Sequence, residues 1–169
     1  DRACLALKEA IATAEGVPAT QILPTNGASE LIQMVALAFV APGSRQLILG
    51  PTFGEYIRAI QLVGGIPHEC QPIRPDLRLE VEAVAETIRE LQPDGIWLCN
   101  PNNPTGTTAT PEALSRFLDA APSNVVVALD EAYIEFLDKP LDLLPDIRAG
   151  RRPNLLLLRT FSKIYGLAG

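Results

Sequence analysis

The sequence predicts an α/β fold, a three-layer α/β/α arrangement with helices on both faces of a mostly parallel sheet. Three observations predict it. Helix-period and strand-like segments alternate along the chain. The strand segments are short, continuous and apolar, as in Val125-Val-Val-Ala-Leu129 and Leu155-Leu-Leu-Leu158, which is the pattern of strands covered on both faces. Polar or Gly/Pro-marked turns follow those strands, and open parallel sheets carry ligands at that edge.

The elements follow in order. Residues 1–15 read as a helix through Cys4, Leu7, Ile11 and Ala14, stopped by Gly16 and Pro18. A short extended piece from Gln21 then meets a helix whose expected buried face is Leu31, Met34, Val35, Ala38 and Phe39, with Asn26 or Gly27 as its N-cap. Pro42-Gly43 turns the chain into a strand, Gln46 to Leu49. Gly50 to Tyr56 ends that strand and opens a helix with Ile57, Ile60 and Val63 inward. After Gly64-Gly65, Ile66 to Cys70 is a strand, and a proline-marked loop runs from Gln71 to Asp76. Val81, Val84, Ala85, Ile88 and Leu91 define a helix ending near Pro93, and Gly95 to Cys99 is a strand. Asn100-Pro-Asn-Asn-Pro-Thr-Gly106 can neither continue a strand nor begin a regular helix, so it reads as a rigid turn. Thr110 caps the next helix, Pro111 takes its first position, and Leu114, Phe117, Leu118 and Ala121 form its buried face. Val125 to Leu129 is a strand with Asp130-Glu131 at its tip, and a loop through Pro140, Pro145 and Pro153 leads to the leucine strand. There is no internal repeat and no domain boundary.

Composition narrows the function classes. Hydrophobic residues make up 47% and charged residues 20%, a balance that supports a packed core and argues against disorder. The net charge of −6, with no basic cluster, argues against a nucleic-acid partner. No apolar run approaches a membrane span, and the opening residues carry no leader pattern. Cys4, Cys70 and Cys99 are widely spaced and form no metal pattern, which fits a reducing, cytoplasmic setting and no metal site. His68 is the single histidine and no Gly-x-Ser-x-Gly elbow accompanies it, so it is read as a strand residue without an assigned role.

Four loops fall at one sheet edge: an anion cradle at the start of the second helix, the rigid asparagine turn from Asn100 to Gly106, a lone carboxylate at Asp130 and the lysine at Lys163. The first-turn N–H groups of Gly27, Ala28 and Ser29 offer an anion site, although most helix starts bind nothing. Phe53 either closes the core or stacks on a flat ring. Asp130, with Tyr133 three residues on, places an acid at the tip of a core strand, which is costly unless it is paired. Lys163 lies just past the leucine strand beside Phe161 and Ile164; partial desolvation there would make its amine a usable nucleophile. Taken singly each has a bland explanation. One shared ligand explains all four.

At these residues the sequence resembles the fold-type I pyridoxal-phosphate aminotransferases. The matching stretches are Asn26-Gly-Ala-Ser-Glu30, Pro51-Thr-Phe-Gly-Glu-Tyr56, Asn100-Pro-Asn-Asn-Pro-Thr-Gly106, Asp130-Glu-Ala-Tyr133 and Ser162-Lys163, in the family's order. Within the family, Asp130 to Phe136 and Leu158 to Gly169 look most like the histidinol-phosphate aminotransferases; the threonine-phosphate decarboxylases are a near branch. The resemblance implies the cofactor pyridoxal 5'-phosphate, held by Lys163 as a Schiff base, with Lys163 also moving a proton at the substrate α-carbon. It implies that Asp130 pairs with the pyridinium nitrogen, an attraction of roughly 5 kcal/mol at ~3 Å and an effective dielectric near ~20, before desolvation. It further implies that Asn103 and Tyr133 bind the ring's phenolic oxygen, that Phe53 stacks on the ring, and that Ala28, Ser29 and Ser162 bind the phosphate. The implied substrates are a small-molecule amino donor such as L-histidinol phosphate and the 2-oxo acid 2-oxoglutarate, in a cytoplasmic homodimer. Residues 1–169 would be the central part of the cofactor-binding large domain. The N-terminal arm and the C-terminal small domain, with its substrate arginine, would lie outside them, and this span alone would turn over little.

Two other classes compete. Val125 to Glu131 resembles a Walker B strand, but the phosphate loop Gly-x4-Gly-Lys-Ser/Thr that a nucleotide-hydrolysing domain needs does not occur. A non-catalytic relative would not need Lys163, Asp130 and Asn103 together.

Overall fold

The computed structural model describes residues 4–71 and 79–168. In them the chain forms α1 (Leu5–Glu15), α2 (Gly27–Phe39), β1 (Arg45–Leu49), α3 (Glu55–Leu62), β2 (Ile66–Cys70), α4 (Val81–Leu91), β3 (Gly95–Cys99), α5 (Pro111–Ala120), β4 (Val126–Asp130), α6 (Leu144–Ala149) and β5 (Leu155–Leu158). Short 3-10 turns cover Ala19–Gln21 and Ile134–Phe136. The five strands pair in the order β2-β1-β3-β4-β5, every pair parallel.

Strand alternation sorts the core into two halves. Leu47, Leu49, Ile96, Leu98, Val127 and Leu129 point to one face, against Val81, Val84 and Ile88 of α4 and Leu114, Phe117 and Leu118 of α5. Ile48, Trp97, Cys99 and Ala128 point to the other, against Ile32, Val35 and Ala36 of α2 and Tyr56, Ala59 and Ile60 of α3. Each large aliphatic side chain buried this way contributes roughly 1.5–3 kcal/mol. The three-layer α/β/α expectation is therefore met.

Local signals placed most element ends. Thr110 Oγ1 accepts from the Ala113 N–H at 3.2 Å, and Pro111 opens α5. Gly16, at φ 66°, ends α1 in the left-handed region that glycine tolerates best. The predicted strands from Ile66, Gly95 and Leu155 match β2, β3 and β5; β1 starts one residue earlier than expected, and β4 is shifted by one residue.

Faces were less legible. In α2 the buried residues are Ile32, Val35 and Ala36, whereas Met34, Ala38 and Phe39 are exposed. This helix carries apolar residues on more than one stripe, so periodicity could not choose between them and the sheet did. In α3 the buried set is Tyr56, Ala59 and Ile60, with Ile57 and Val63 only half-buried. Leu156 and Leu157 are also half-buried, because β5 sits at the edge of the described sheet. The loop through Pro145 contains α6, a six-residue helix too short to show a period. Most of the expected loop from Gln71 to Asp76 lies outside the described residues. Among the described residues, no helix is long and apolar enough to cross a membrane.

The strand order positions the site. The chain runs outward from β1 to β2, then crosses to the other side of β1 for β3. Loops leaving β1 and β3 therefore diverge at the carboxyl edge, and such a switch point opens a crevice there.

Candidate active site

Four loops leave the carboxyl ends of β1, β3, β4 and β5, and each carries predicted site residues. The loop after β1, Gly50 to Gly54, presents Phe53. Its ring is half-buried and stands edge-on to Tyr56, with centroids 5.9 Å apart. Phe53 packs against the core half that holds Tyr56 and Trp97, yet part of it stays accessible.

The turn after β3 is organised by Asn102, which is buried. Its Nδ2 donates to the Pro51 carbonyl at 2.8 Å and to Thr105 Oγ1 at 2.7 Å, and its Oδ1 accepts from Thr52 Oγ1 at 2.7 Å. Its backbone is paired as well, donating to Thr107 and accepting from Gly106, both at 2.8 Å. Gly106, at φ 68°, closes the turn. Asn100 Oδ1 accepts from the Ala109 N–H at 2.7 Å. The rigid turn expected from the Pro/Asn composition is present, and its cross-link to the Phe53 loop is a tertiary feature. Asn103 lies between these anchors, half-buried, with no hydrogen-bond partner for its side chain among the described residues.

Asp130 ends β4 and is 4% exposed. Its Oδ2 accepts from the Tyr56 hydroxyl at 2.6 Å, and its Oδ1 accepts from the Ala132 N–H at 2.9 Å. Burial pushes its pKa up; the Tyr56 hydrogen bond, the Ala132 N–H and the charge of Lys163 pull it back. The Tyr56 phenol is also pushed upward, by burial and then by the Asp130 charge, so it stays a donor. Cys99, beside them on β3, is pushed up to about 11 by burial and the same carboxylate.

In the sequence, Tyr56 stands only as the last residue of the Pro51–Tyr56 motif, with no local sign of a role. A signal existed in retrospect: a tyrosine on the buried stripe of a helix must find a partner for its hydroxyl.

Lys163 Nζ lies 5.1 Å from the centre of the Tyr133 ring, and Tyr133 itself is half-buried. Lys163 and Asp130 follow the carboxyl ends of neighbouring strands, β5 and β4, and the charge of Lys163 acts on Asp130. The expected desolvation of Lys163 is not found. Lys163, Phe161 and Ile164 are all exposed, because the segment after β5 runs over the surface. Ser162 is half-buried, and its N–H donates to Thr160 Oγ1 at 3.1 Å.

The anion cradle is narrower than expected. The Gly27 N–H is taken by the Thr25 carbonyl at 2.9 Å, which leaves the first-turn amides of Ala28 and Ser29. Asn26 supplies no side-chain cap; instead the Glu30 carboxylate accepts from the Asn26 N–H. α2 packs against β5, the strand that leads to Ser162 and Lys163.

The structure is thus a three-layer α/β domain that carries an acid, an amide and a lysine in loops at one sheet edge. The chain belongs to the family "Aminotransferase class I and II", whose profile matches residues 3–169. Histidinol-phosphate aminotransferase 2 of Carboxydothermus hydrogenoformans is 41% identical over 174 residues, covering 100% of this chain and 46% of that protein. The crystal structure of histidinol-phosphate aminotransferase from Sinorhizobium meliloti, in complex with pyridoxal-5'-phosphate, superposes with a TM-score of 0.83 at 28% identity, over 96% of this chain and 44% of that one. L-threonine-O-3-phosphate decarboxylase from Porphyromonas gingivalis superposes with a TM-score of 0.82 at 30% identity, over 99% of this chain and 49% of that one. The chain spans about half the length of the curated relatives it matches.

Proposed function

We propose that the protein is a pyridoxal-phosphate-dependent aminotransferase that passes the amino group of a donor such as L-histidinol phosphate to 2-oxoglutarate, with Lys163 as the cofactor lysine. The observation that carries this reading is a buried Asp130 carboxylate at the tip of β4, at the same sheet edge as Lys163, whose charge acts on it. Residues 1–169 correspond in this reading to the central part of the large domain, and the intact enzyme is a cytoplasmic homodimer.

The residues present fit the cofactor. Each Asp130 oxygen accepts one hydrogen bond and keeps a lone pair for a cationic N–H. Such a partner would offset the burial that now raises its pKa. In this reading the Asn103 amide, which has no side-chain partner among the described residues, and the Tyr133 hydroxyl bind the phenolic oxygen. The open amides of Ala28 and Ser29, with Ser162, suit the phosphate, and the accessible side of Phe53 suits the ring. When bound, the cofactor supplies an electron sink that stabilises negative charge at the substrate α-carbon. The chain's own work would be to grip and orient: the Lys163 amine would hold the aldehyde carbon until the substrate amine displaces it, and the freed amine would then move a proton at the α-carbon. Asp130 keeps the ring nitrogen protonated, and Tyr56 keeps Asp130 aimed.

The test is covalent trapping. The protein is loaded with pyridoxal phosphate, reduced with borohydride and digested. The cofactor mass is expected on the Lys163 peptide and absent in Lys163→Ala; a label elsewhere, or none, refutes the assignment. Turnover of L-histidinol phosphate with 2-oxoglutarate by the intact enzyme then tests the substrates. The similarity to the L-threonine-O-3-phosphate decarboxylase structure supports a second reading in which the same machinery releases CO2 from a phosphorylated amino acid. CO2 release from threonine phosphate without amino transfer would select it. Which α-bond breaks depends on how the substrate is held over the ring.

A further inference from the structure

Glu131 and Arg159 form the next cross-strand step beyond the β4–β5 ladder. Asp130 lies opposite Leu158, and the Glu131 N–H donates to the Leu158 carbonyl at 2.8 Å. The side chains complete the step, with Arg159 Nε donating to Glu131 Oε2 at 2.8 Å. Glu131 is 1% exposed, and its Oε1 is buried without a hydrogen-bond partner among the described residues. The same guanidinium reaches Glu15 Oε2 on α1 at 3.1 Å through Nη1, and Glu135 in the 3-10 turn faces it too.

One arginine therefore answers three carboxylates, and Asp130 adds a fourth negative charge acting on Glu131. Burial raises the pKa of Glu131 first, Arg159 draws it down, and Glu135 and Asp130 raise it again. A fully buried carboxylate is costly unless it is paired, and removing only its partner costs more than removing both. The pair also joins two site loops: Glu131 directly follows Asp130, and Arg159 precedes Lys163 by one short loop.

We propose that Arg159 is a positioning residue which, by compensating Glu131, sets the charge balance in which Asp130 and Lys163 work. The proposal rests on Lys163 being the cofactor lysine, and its test separates the two.

In protein loaded with pyridoxal phosphate, the pH titration of the bound cofactor's visible absorbance reads the local charge. Arg159→Gln leaves Glu131 uncompensated and is expected to move the midpoint up by about 1 pH unit. Glu131→Gln removes the negative charge, leaves Arg159 in place and is expected to move the midpoint down. The double variant is expected to return near the unaltered value, and Arg159→Lys to lie between. A role confined to packing would shift both single variants in the same direction and leave the double variant no better; that result overturns the proposal, as does no shift in either.

A second measurement needs no cofactor. The 13C carboxyl resonance of Glu131 in the protein without cofactor is expected to titrate about 1 unit higher in Arg159→Gln. If the unaltered protein holds no cofactor at Lys163, the functional reading fails. The carboxyl titration then decides this one, and an unmoved Glu131 ends it.

Discussion

Two loops at the same sheet edge are built in opposite ways. The turn after β3 is cross-linked: the Asn102 side chain bonds Pro51, Thr52 and Thr105, which ties the loop after β1 to the loop after β3. The segment after β5 is bonded mainly to itself. Gly166 donates to Lys163 at 3.1 Å, Leu167 donates to Phe161 at 3.0 Å, and Phe161, Ile164, Tyr165 and Leu167 are exposed. Its firm attachment lies at its start, where Arg159 meets Glu131. The difference separates two duties. An acid and an amide that must aim at fixed atoms belong on a rigid frame, because small errors in geometry weaken electrostatic interactions at close range. In the proposed reading, a lysine that reaches an aldehyde carbon and later a substrate carbon needs a freer stem.

Breaking the rigid side gives the largest expected effect. Asn102→Ala leaves three partners of a buried amide unmatched and is expected to cost about 3 kcal/mol at roughly 1 kcal/mol for each lost bond. Chemical denaturation of the protein without cofactor measures it; a loss below about 1 kcal/mol would show that the two loops are not tied through this residue.

Tyr56→Phe comes next. It keeps the ring in the core but removes the hydroxyl from Asp130, for about 1–2 kcal/mol at neutral pH. Here the pH dependence has a definite sign. The folded pKa of Asp130 lies above its unfolded value, so the folded state binds more protons in the window between the two. Stability contributed by this group is therefore present at low pH and lost as pH rises through the folded pKa. The hydroxyl lowers that pKa, so its removal pushes the window upward, and the deficit of Tyr56→Phe is expected to grow between weakly acidic and neutral pH. Melting curves across that range check it; a deficit that shrinks as pH rises would contradict the Asp130 contact.

The smallest effect is expected on the open side. Ile164→Ala removes a side chain that is 45% exposed and should change the stability of the cofactor-free protein by no more than about 0.5 kcal/mol. A larger loss would mean that the lysine segment is packed as firmly as the asparagine turn, and the contrast between the loops would disappear.

Much of the fold was legible because it is local. Thr110-Pro111 marked a helix start, and the apolar runs from Gly95 and Val125 marked strands, since caps and side-chain periods act over a few residues. The lysine, the carboxylate and the asparagine turn were legible as candidates because strand tips are marked by abrupt polarity. The buried face of α2 was not, because several of its stripes are apolar. Tyr56 was passed over because its partner lies 74 positions away. The Glu131–Arg159 pair escaped for the same reason: nothing near Glu131 in the chain shows that it is buried or what answers its charge.

By itself, the sequence determined the alternation of helices and strands, the position of each turn and the residue types at each strand tip. These depend on backbone propensity, capping and the period of apolar side chains, all of which act between near neighbours. Only the tertiary structure decided the strand order with its crossing between β1 and β3, the stripe that each helix buries, and the partners of Asp130, Asn102 and Glu131. Those depend on which distant surfaces exclude water together, and on the requirement that a polar group taken out of water find a new partner wherever the fold happens to place one.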